Sequence, residues 1–220
     1  NDPDMIQKWA KPVDKLLTLG SSLSSYFEKA GIPKDKISTG FHYVDSEYYH
    51  KMTEIEVHTP LRVIMMGALQ RDYGMLSEIV KLCPNVHWII CRGRKNVDDL
   101  FPKTPNVELK GFLEEDELRH QMDIADVSLN IMDDTVGSNV ITTSMAMGLA
   151  MVVSDVGSIR DYCNADNAIF CKNKVEGFIN ALKSLEKDKK RVQRMKETSK
   201  SMSSVLTIDN VDKWFSSFNR

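Results

Sequence analysis

Short apolar runs alternate with amphipathic stretches through the middle of the chain, and each run stops at a glycine or a polar turn. Arg62-Val63-Ile64-Met65-Met66 ends at Gly67, and Val86-His87-Trp88-Ile89-Ile90 is broken by Arg92-Gly93-Arg94. Val107-Glu108-Leu109, Val127 to Met132, Met151 to Val153 and Ala168 to Phe170 complete the set. Near-continuous apolar runs of this kind read as strands buried on both faces of a parallel sheet. Between them, Met75, Leu76, Ile79, Val80 and Leu82 recur at helical spacing until Pro84. Leu118, Met122 and Ala125 mark a helix over 114–123, and a third helix is predicted over 139–147, with Gly148 just past its end. Strands separated by such helices form βαβ units. The pattern therefore predicts an α/β fold, a doubly wound parallel sheet with helices on both faces, over residues 59–205.

The two ends differ from this middle. Lys15 to Leu19 reads as a strand, Ser21 or Ser22 as the cap of a helix carrying Leu23, Tyr26 and Phe27, and Gly31 as its stop. Residues 32–58 then pass through Lys36 to Tyr43 before the main sheet begins. A strand-helix-strand piece is too small to bury a core of its own, so 1–58 reads as the remnant of another domain. Residues 175–200 are helical, with Val175, Phe178, Ile179, Leu182 and Leu185 as the apolar stripe. From Lys183 to Lys200 there are eight Lys/Arg and three acids, which suit a solvated face or attraction to anionic lipid. Residues 206–220 form a last helix whose stripe, Val211, Trp214, Phe215 and Phe218, needs a surface to pack on. With only a remnant of the first domain present, Leu23, Tyr26, Phe27, Trp214 and Phe215 are expected to self-associate or to fold back on the main domain.

Composition narrows the function. Lys and Arg number 29 and Asp and Glu 31, a formal net charge of −2, which excludes nucleic-acid binding through bulk positive charge. No run of eighteen apolar residues is present to span a bilayer, and the acidic start Asn1-Asp2-Pro3-Asp4 is unlike a secretory signal; a cytoplasmic location, with at most peripheral membrane contact, is expected. Cys83, Cys91, Cys163 and Cys171 form no CxxC and have no histidine at zinc-ligand spacing, so they read as buried small hydrophobes in a reducing compartment.

In a doubly wound sheet, ligands bind beyond the carboxyl ends of the strands. The loop from Asp133 to Ser138 is the most informative, because Gly137-Ser138-Asn139 opens a helix. Free backbone N–H groups and the positive dipole end make that turn either an anion site, most simply for a diphosphate, or an ordinary cap. Arg71, Arg92 and Arg94 stand in neighbouring strand-end loops and would offset the charge of a diphosphate. No G-x-G-x-x-G follows the first strand of the sheet, and no P-loop lysine occurs. Asp133-Asp134 reads as loop filler rather than a metal site, so no metal or cofactor is expected.

The order of these pieces resembles the C-terminal, donor-binding half of a family 4 (group 1) glycosyltransferase. The resemblance runs through Gly67-Ala68-Leu69, Asn106 to Leu113, Gly137-Ser138-Asn139, Ser144 to Leu149, and Val152 to Tyr162. Val13 to Asp45 is similar to the segment that crosses from the first to the second domain of such enzymes. The resemblance implies a two-domain GT-B enzyme, of which this Rossmann-like domain is the second. It would move a sugar from a nucleotide-sugar, with retention, to a glycan or lipid-linked acceptor, as in polysaccharide biosynthesis. Its partners would be that nucleotide-sugar, the acceptor and an N-terminal glycosyltransferase domain, with a homodimer also admitted.

By the same resemblance, Gly67 and Ala68 would approach the phosphates. Arg92, Arg94, Phe112 and Leu113 would frame the base and ribose, and Ser138, Asn139 and Val140 would hold the diphosphate. The family's two glutamates around this helix are here Thr135 and Thr143, so Thr143 stands at the ribose position. The arginine after the strand glycine is Ala68, and the lysine before Gly74 is Tyr73. Those cations stabilise the departing diphosphate, and Arg71, Arg92 or Arg94 are the residues at hand to replace them. A degenerate, non-catalytic binding or scaffold module is the alternative.

Overall fold

The computed structural model describes residues 3–54, 56–67 and 71–218. A six-stranded, all-parallel sheet forms its centre, built from β3 (Arg62–Met66), β4 (His87–Cys91), β5 (Val107–Lys110), β6 (Val127–Asn130), β7 (Ala150–Ser154) and β8 (Ala168–Cys171). A separate two-stranded parallel sheet joins β1 (Leu16–Thr18) to β2 (Ile37–Thr39). All six runs became strands of one sheet; the central β6 and β7 are buried throughout, whereas the edge strand β5 is only half-buried along its length. Val63, Ile64, Trp88, Ile89, Leu129 and Val152 are wholly inaccessible to solvent.

The helices are α1 (Pro3–Ala10), α2 (Ser21–Lys29), α3 (Tyr73–Leu82), α4 (Glu115–Asp123), α5 (Asn139–Ala146), α6 (Ile159–Tyr162), α7 (Val175–Lys187), α8 (Lys189–Ser203) and α9 (Ile208–Ser216). One face of the sheet packs Leu76 and Ile79 of α3 with Phe178, Leu182 and Leu185 of α7. The other face carries Met122 of α4 with Met147 and Leu149. Each such side chain contributes about 1.5–3 kcal/mol through burial. The strand order is β5-β4-β3-β6-β7-β8. Succession reverses between β3 and β6, and that is where a crevice opens beyond the carboxyl ends of a doubly wound sheet.

The structure departs from the sequence pattern in four places. The helical stretch over 175–200 is two helices, because Asp188 leaves helical geometry and its carboxylate accepts the N–H of Arg191 to cap α8. Lys196 does not join the solvated basic face; it is fully buried, and its ammonium meets Asp126 at 3.0 Å. Neither Ser21 nor Ser22 caps α2. Instead Asp161 accepts the Ser21 N–H at 2.6 Å, and Ser158 accepts the Ser22 N–H at 2.9 Å, so α6 holds the start of α2. Residues Pro3–Ala10, left unassigned by the pattern, form α1, and Trp9 stacks on Phe27 with ring centroids 6.2 Å apart.

The C-terminal helix returns to the first lobe. Trp214 Nε1 donates to Ser38 Oγ at 3.2 Å, and its ring lies against Gly40 so closely that an added Cβ there would sit 2.7 Å from it. Of the five side chains expected to lack cover, Leu23, Phe27 and Trp214 are half-buried within the chain, whereas Tyr26 and Phe215 stay exposed. All four cysteines are free and buried, and burial pushes the Cys163 thiol up to about 12.

Candidate functional site

A cleft of about 510 Å³ opens at the β3/β6 switch point. Five predicted residues line it together: Gly67, Arg71, Ser138, Asn139 and Val140. The two loops that form it are fastened to each other. Arg71 and Met132 make an isolated antiparallel bridge, Met132 N–H donates to Ser154 Oγ at 2.9 Å, and Asn173 Nδ2 donates to Met132 O at 2.8 Å.

Two elements bring positive potential to the cleft. Ser138 is extended (φ −152°, ψ 124°), and its carbonyl accepts the N–H groups of Ile141 and Thr142 at 3.1 Å, which starts α5. No side chain caps this helix, so the N–H groups of Asn139 and Val140, two residues that line the cleft, are among those an α-helix leaves without intrahelical acceptors. The turn before it needs glycine. Gly137 has φ +139°, and a Cβ there would stand 3.0 Å from Leu19 O in the first lobe.

Arg71 faces that helix end. Its Nε donates to Met66 O at 3.1 Å, and no carboxylate pairs with it among the described residues. Burial lowers its pKa from the ordinary arginine value, while the neighbouring Tyr73 opposes the shift. Tyr73, standing where the family has lysine, donates to Gly67 O at 3.1 Å and so steadies the strand end rather than supplying charge.

Of the remaining predicted residues, the described ones do not line this cleft. Arg92 is tied to its own loop, with Nε 2.6 Å from Asp98 Oδ1 and Nη1 donating to Lys95 O at 2.5 Å. Arg94 lies over the ring of Phe112 at 5.0 Å, an exposed stacked pair beyond β4 and β5. Leu113 packs against the core under α4. Thr143 lines a smaller side cleft, with its hydroxyl donating to Asn139 O at 2.6 Å. Ala68 lies outside the described residues.

Sequence reasoning missed His42, which lines both clefts. Its N–H donates to Tyr162 Oη at 2.8 Å, and that hydroxyl donates to Leu19 O at 2.6 Å, so α6 pins the crossover segment to the rim. The strand-end rule draws attention to loops of the large sheet only, and His42 arrives from the segment after β2. Asp134 was read as filler, and it both lines the cleft and accepts the Thr135 N–H at 2.8 Å. No group of three or more His, Cys, Asp or Glu among the described residues is arranged to hold a metal.

The family described as glycosyl transferases group 1 matches residues 61–188, the span that holds the whole six-stranded sheet. The chain belongs to this family. Solved structures agree on the fold. HepE from Anabaena, in complex with UDP and glucose, superposes with a TM-score of 0.85 at 12% identity, over 98% of this chain and 66% of that one. Sucrose-phosphate synthase from Thermosynechococcus elongatus gives 0.83 at 10% identity, over 100% of this chain and 62% of that one. A glycosyltransferase from Rickettsia africae gives 0.82 at 10% identity, over 99% and 67%. The chain thus spans 62–67% of the length of these three proteins. No curated protein matches it in sequence.

Proposed function

We propose that this chain is the nucleotide-sugar-binding half of a retaining glycosyltransferase, and that its cleft holds the donor's diphosphate between the α5 N-terminus and Arg71. One observation carries the reading: an uncapped helix N-terminus and an arginine with no acid partner among the described residues line the same switch-point cleft. Negative charge on a departing nucleoside diphosphate would be met there by two N–H groups, the helix dipole and one guanidinium, all fixed before reaction. HepE in complex with UDP and glucose shares this fold, which supports a uridine or related nucleotide as ligand.

The acceptor would be a glycan or a lipid-linked sugar, held by an N-terminal domain. The two-stranded sheet β1–β2 supports such a domain, since two parallel strands are too few to stand alone. Without that wall the reacting centres are not held in line, so this chain by itself transfers no sugar.

A scaffold without transferase activity is the second reading, and one observation favours it. The positions of the family's two carboxylates hold Thr135 and Thr143, and the Thr143 hydroxyl is spent on Asn139 O. Calorimetric titration with UDP, GDP and their sugar conjugates separates the two. Micromolar binding of a nucleoside diphosphate supports the donor site, and no binding by any of them supports the scaffold.

A further inference from the structure

We infer that His42 is a proton-dependent contact for the diphosphate, so that a nucleotide-sugar enters the cleft together with one proton; this rests on the donor-site reading above. Among the described residues that line the cleft, Arg71 is the one permanent cation and Asp134 the one acid. Their charges cancel, whereas the diphosphate of a nucleotide-sugar brings two negative charges. His42 is the one further lining residue that can turn positive. An anion within reach favours the charged form of an imidazole, so ligand and proton each favour the other.

The ring sits on a segment pinned on both sides. The His42 N–H donates to Tyr162 Oη at 2.8 Å, and two residues on the Val44 N–H donates to Leu206 O at 2.8 Å, with the Val44 side chain buried. The imidazole lies alongside the Tyr43 ring, with centroids 6.1 Å apart and planes 27° from parallel. Its Nδ1 is 3.1 Å from the Tyr43 carbonyl. A carbonyl only accepts, so Nδ1 keeps its proton in either charge state and Nε2 is the atom that gains one. Nε2 has no protein partner among the described residues. A donor already held at the rim costs little ordering when the ligand arrives.

The charged and titratable neighbours of His42 come from several elements. Arg71 and Asp134 share the larger cleft with it, and Asp45, Tyr49 and Glu115 share the smaller one. On α6, Tyr162 holds its backbone and Asp161 is occupied by Ser21. Burial raises the pKa of both Tyr49 and Tyr162, and Glu115 raises Tyr49 further, so both phenols stay neutral near pH 7. Arginine and carboxylate side chains ordinarily hold their charge between about pH 5.5 and 8, and imidazole is the side chain that changes it there. Asp45 and Glu115 favour a protonated ring and Arg71 disfavours it, with or without ligand; the diphosphate is what binding adds.

Calorimetric titration of the 220-residue chain with UDP-glucose and with GDP-mannose, at about pH 5.5 and about pH 8, tests this. Their diphosphates are esterified at both ends and hold the same charge at both pH values, unlike free UDP, whose terminal phosphate titrates near about pH 6. The unaltered chain should bind whichever conjugate it takes roughly tenfold more tightly at the lower pH, with a proton taken up that shows as a buffer dependence of the heat. His42→Gln should bind with the weaker affinity at both, and His42→Lys with the tighter affinity at both. His87→Gln, which alters a histidine paired with Glu108 on β4 and β5, should behave as the unaltered chain does. A pH dependence that survives in His42→Gln, or that is missing from the unaltered chain, overturns the inference and leaves the donor site standing. No binding of either conjugate to the unaltered chain at either pH overturns the donor reading and this inference with it.

Discussion

At the amino ends of the strands, Lys196 and Asp126 are both fully buried and meet at 3.0 Å. Asp126 also accepts the N–H groups of Arg62 at 2.9 Å and His58 at 3.2 Å, while Lys196 donates to Glu56 O at 2.6 Å. Beside them Lys51 stands 3.6 Å from Asp123, both side chains 2% exposed. At the carboxyl ends of the same sheet, Arg71 has one carbonyl partner, and the first N–H groups of α5 have no cap. One end spends its polar groups on the chain itself and fastens the 51–58 crossover to the sheet. The other leaves them open toward a cleft. Buried charge that is fully paired holds structure, and polar groups left unpaired at a switch point are available to a ligand.

The sharpest way to break this contrast is to remove one partner at each end. Lys196→Met strands a fully buried carboxylate and is expected to cost about 3–5 kcal/mol, which lowers the melting temperature by about 10 °C. Nucleotide affinity measured well below that melt should not change. Arg71→Gln is expected to do the reverse. It forfeits one hydrogen bond to Met66 O, a stability cost of under about 1.5 kcal/mol, but lowers nucleoside diphosphate affinity roughly ten- to a hundredfold by calorimetry. An Arg71 variant that melts like the Lys196 variant and still binds UDP would show that both ends are structural.

The same contrast explains what the sequence made legible. The six strands could be read because Ile64, Ile89 and Val152 are buried on both faces, which leaves uninterrupted apolar runs. The loops of the cleft could be named because strand ends and the turn Gly137-Ser138-Asn139 are both local signals, whereas the switch point between β3 and β6 emerged only with the strand order. Lys196 could not be read. In sequence it is one of eight basic residues over 183–200, and only the fold shows it opposite Asp126, seventy positions away. His42 was hidden for a similar reason, since it reaches the rim through Tyr162, 120 positions away. Arg92 looked equivalent to Arg71 as a strand-end arginine, but Asp98, six positions on, claims it. Apolar periodicity reports burial along one element, whereas long-range charge pairing leaves no periodic trace.

A smaller effect tests the open end alone. Asn139→Pro removes one N–H from the α5 turn. Proline suits the first helical position, and Ser138 already has the extended backbone that a following proline requires. The fold should therefore hold, with an unchanged melting temperature, while nucleoside diphosphate affinity falls roughly fivefold, one neutral hydrogen bond's worth. Unchanged affinity would remove the α5 turn from the site and leave Arg71 to carry it.

The least of the expected effects tests the closed end through pH. Burial alone would raise the Asp123 pKa, but the Met52 N–H, the Lys51 charge and Thr53 together hold it below the ordinary aspartate value. A carboxylate depressed by folding adds stability that is fully present above its unfolded pKa, about 3.9, and is lost as pH falls through the folded value. Burial and neighbouring Lys196 lower the Lys51 pKa from the ordinary lysine value, and the Asp123 charge opposes them. Asp123→Asn should therefore destabilise the chain at about pH 6.5, and the gap from the unaltered protein should narrow at about pH 3, by guanidinium melts at each. Arg71→Gln, which removes a guanidinium that is charged at both pH values, should show the same small difference at both. A gap for Asp123→Asn that is constant with pH would mean the carboxylate's charge adds nothing there, and that its N–H acceptors alone hold the crossover down.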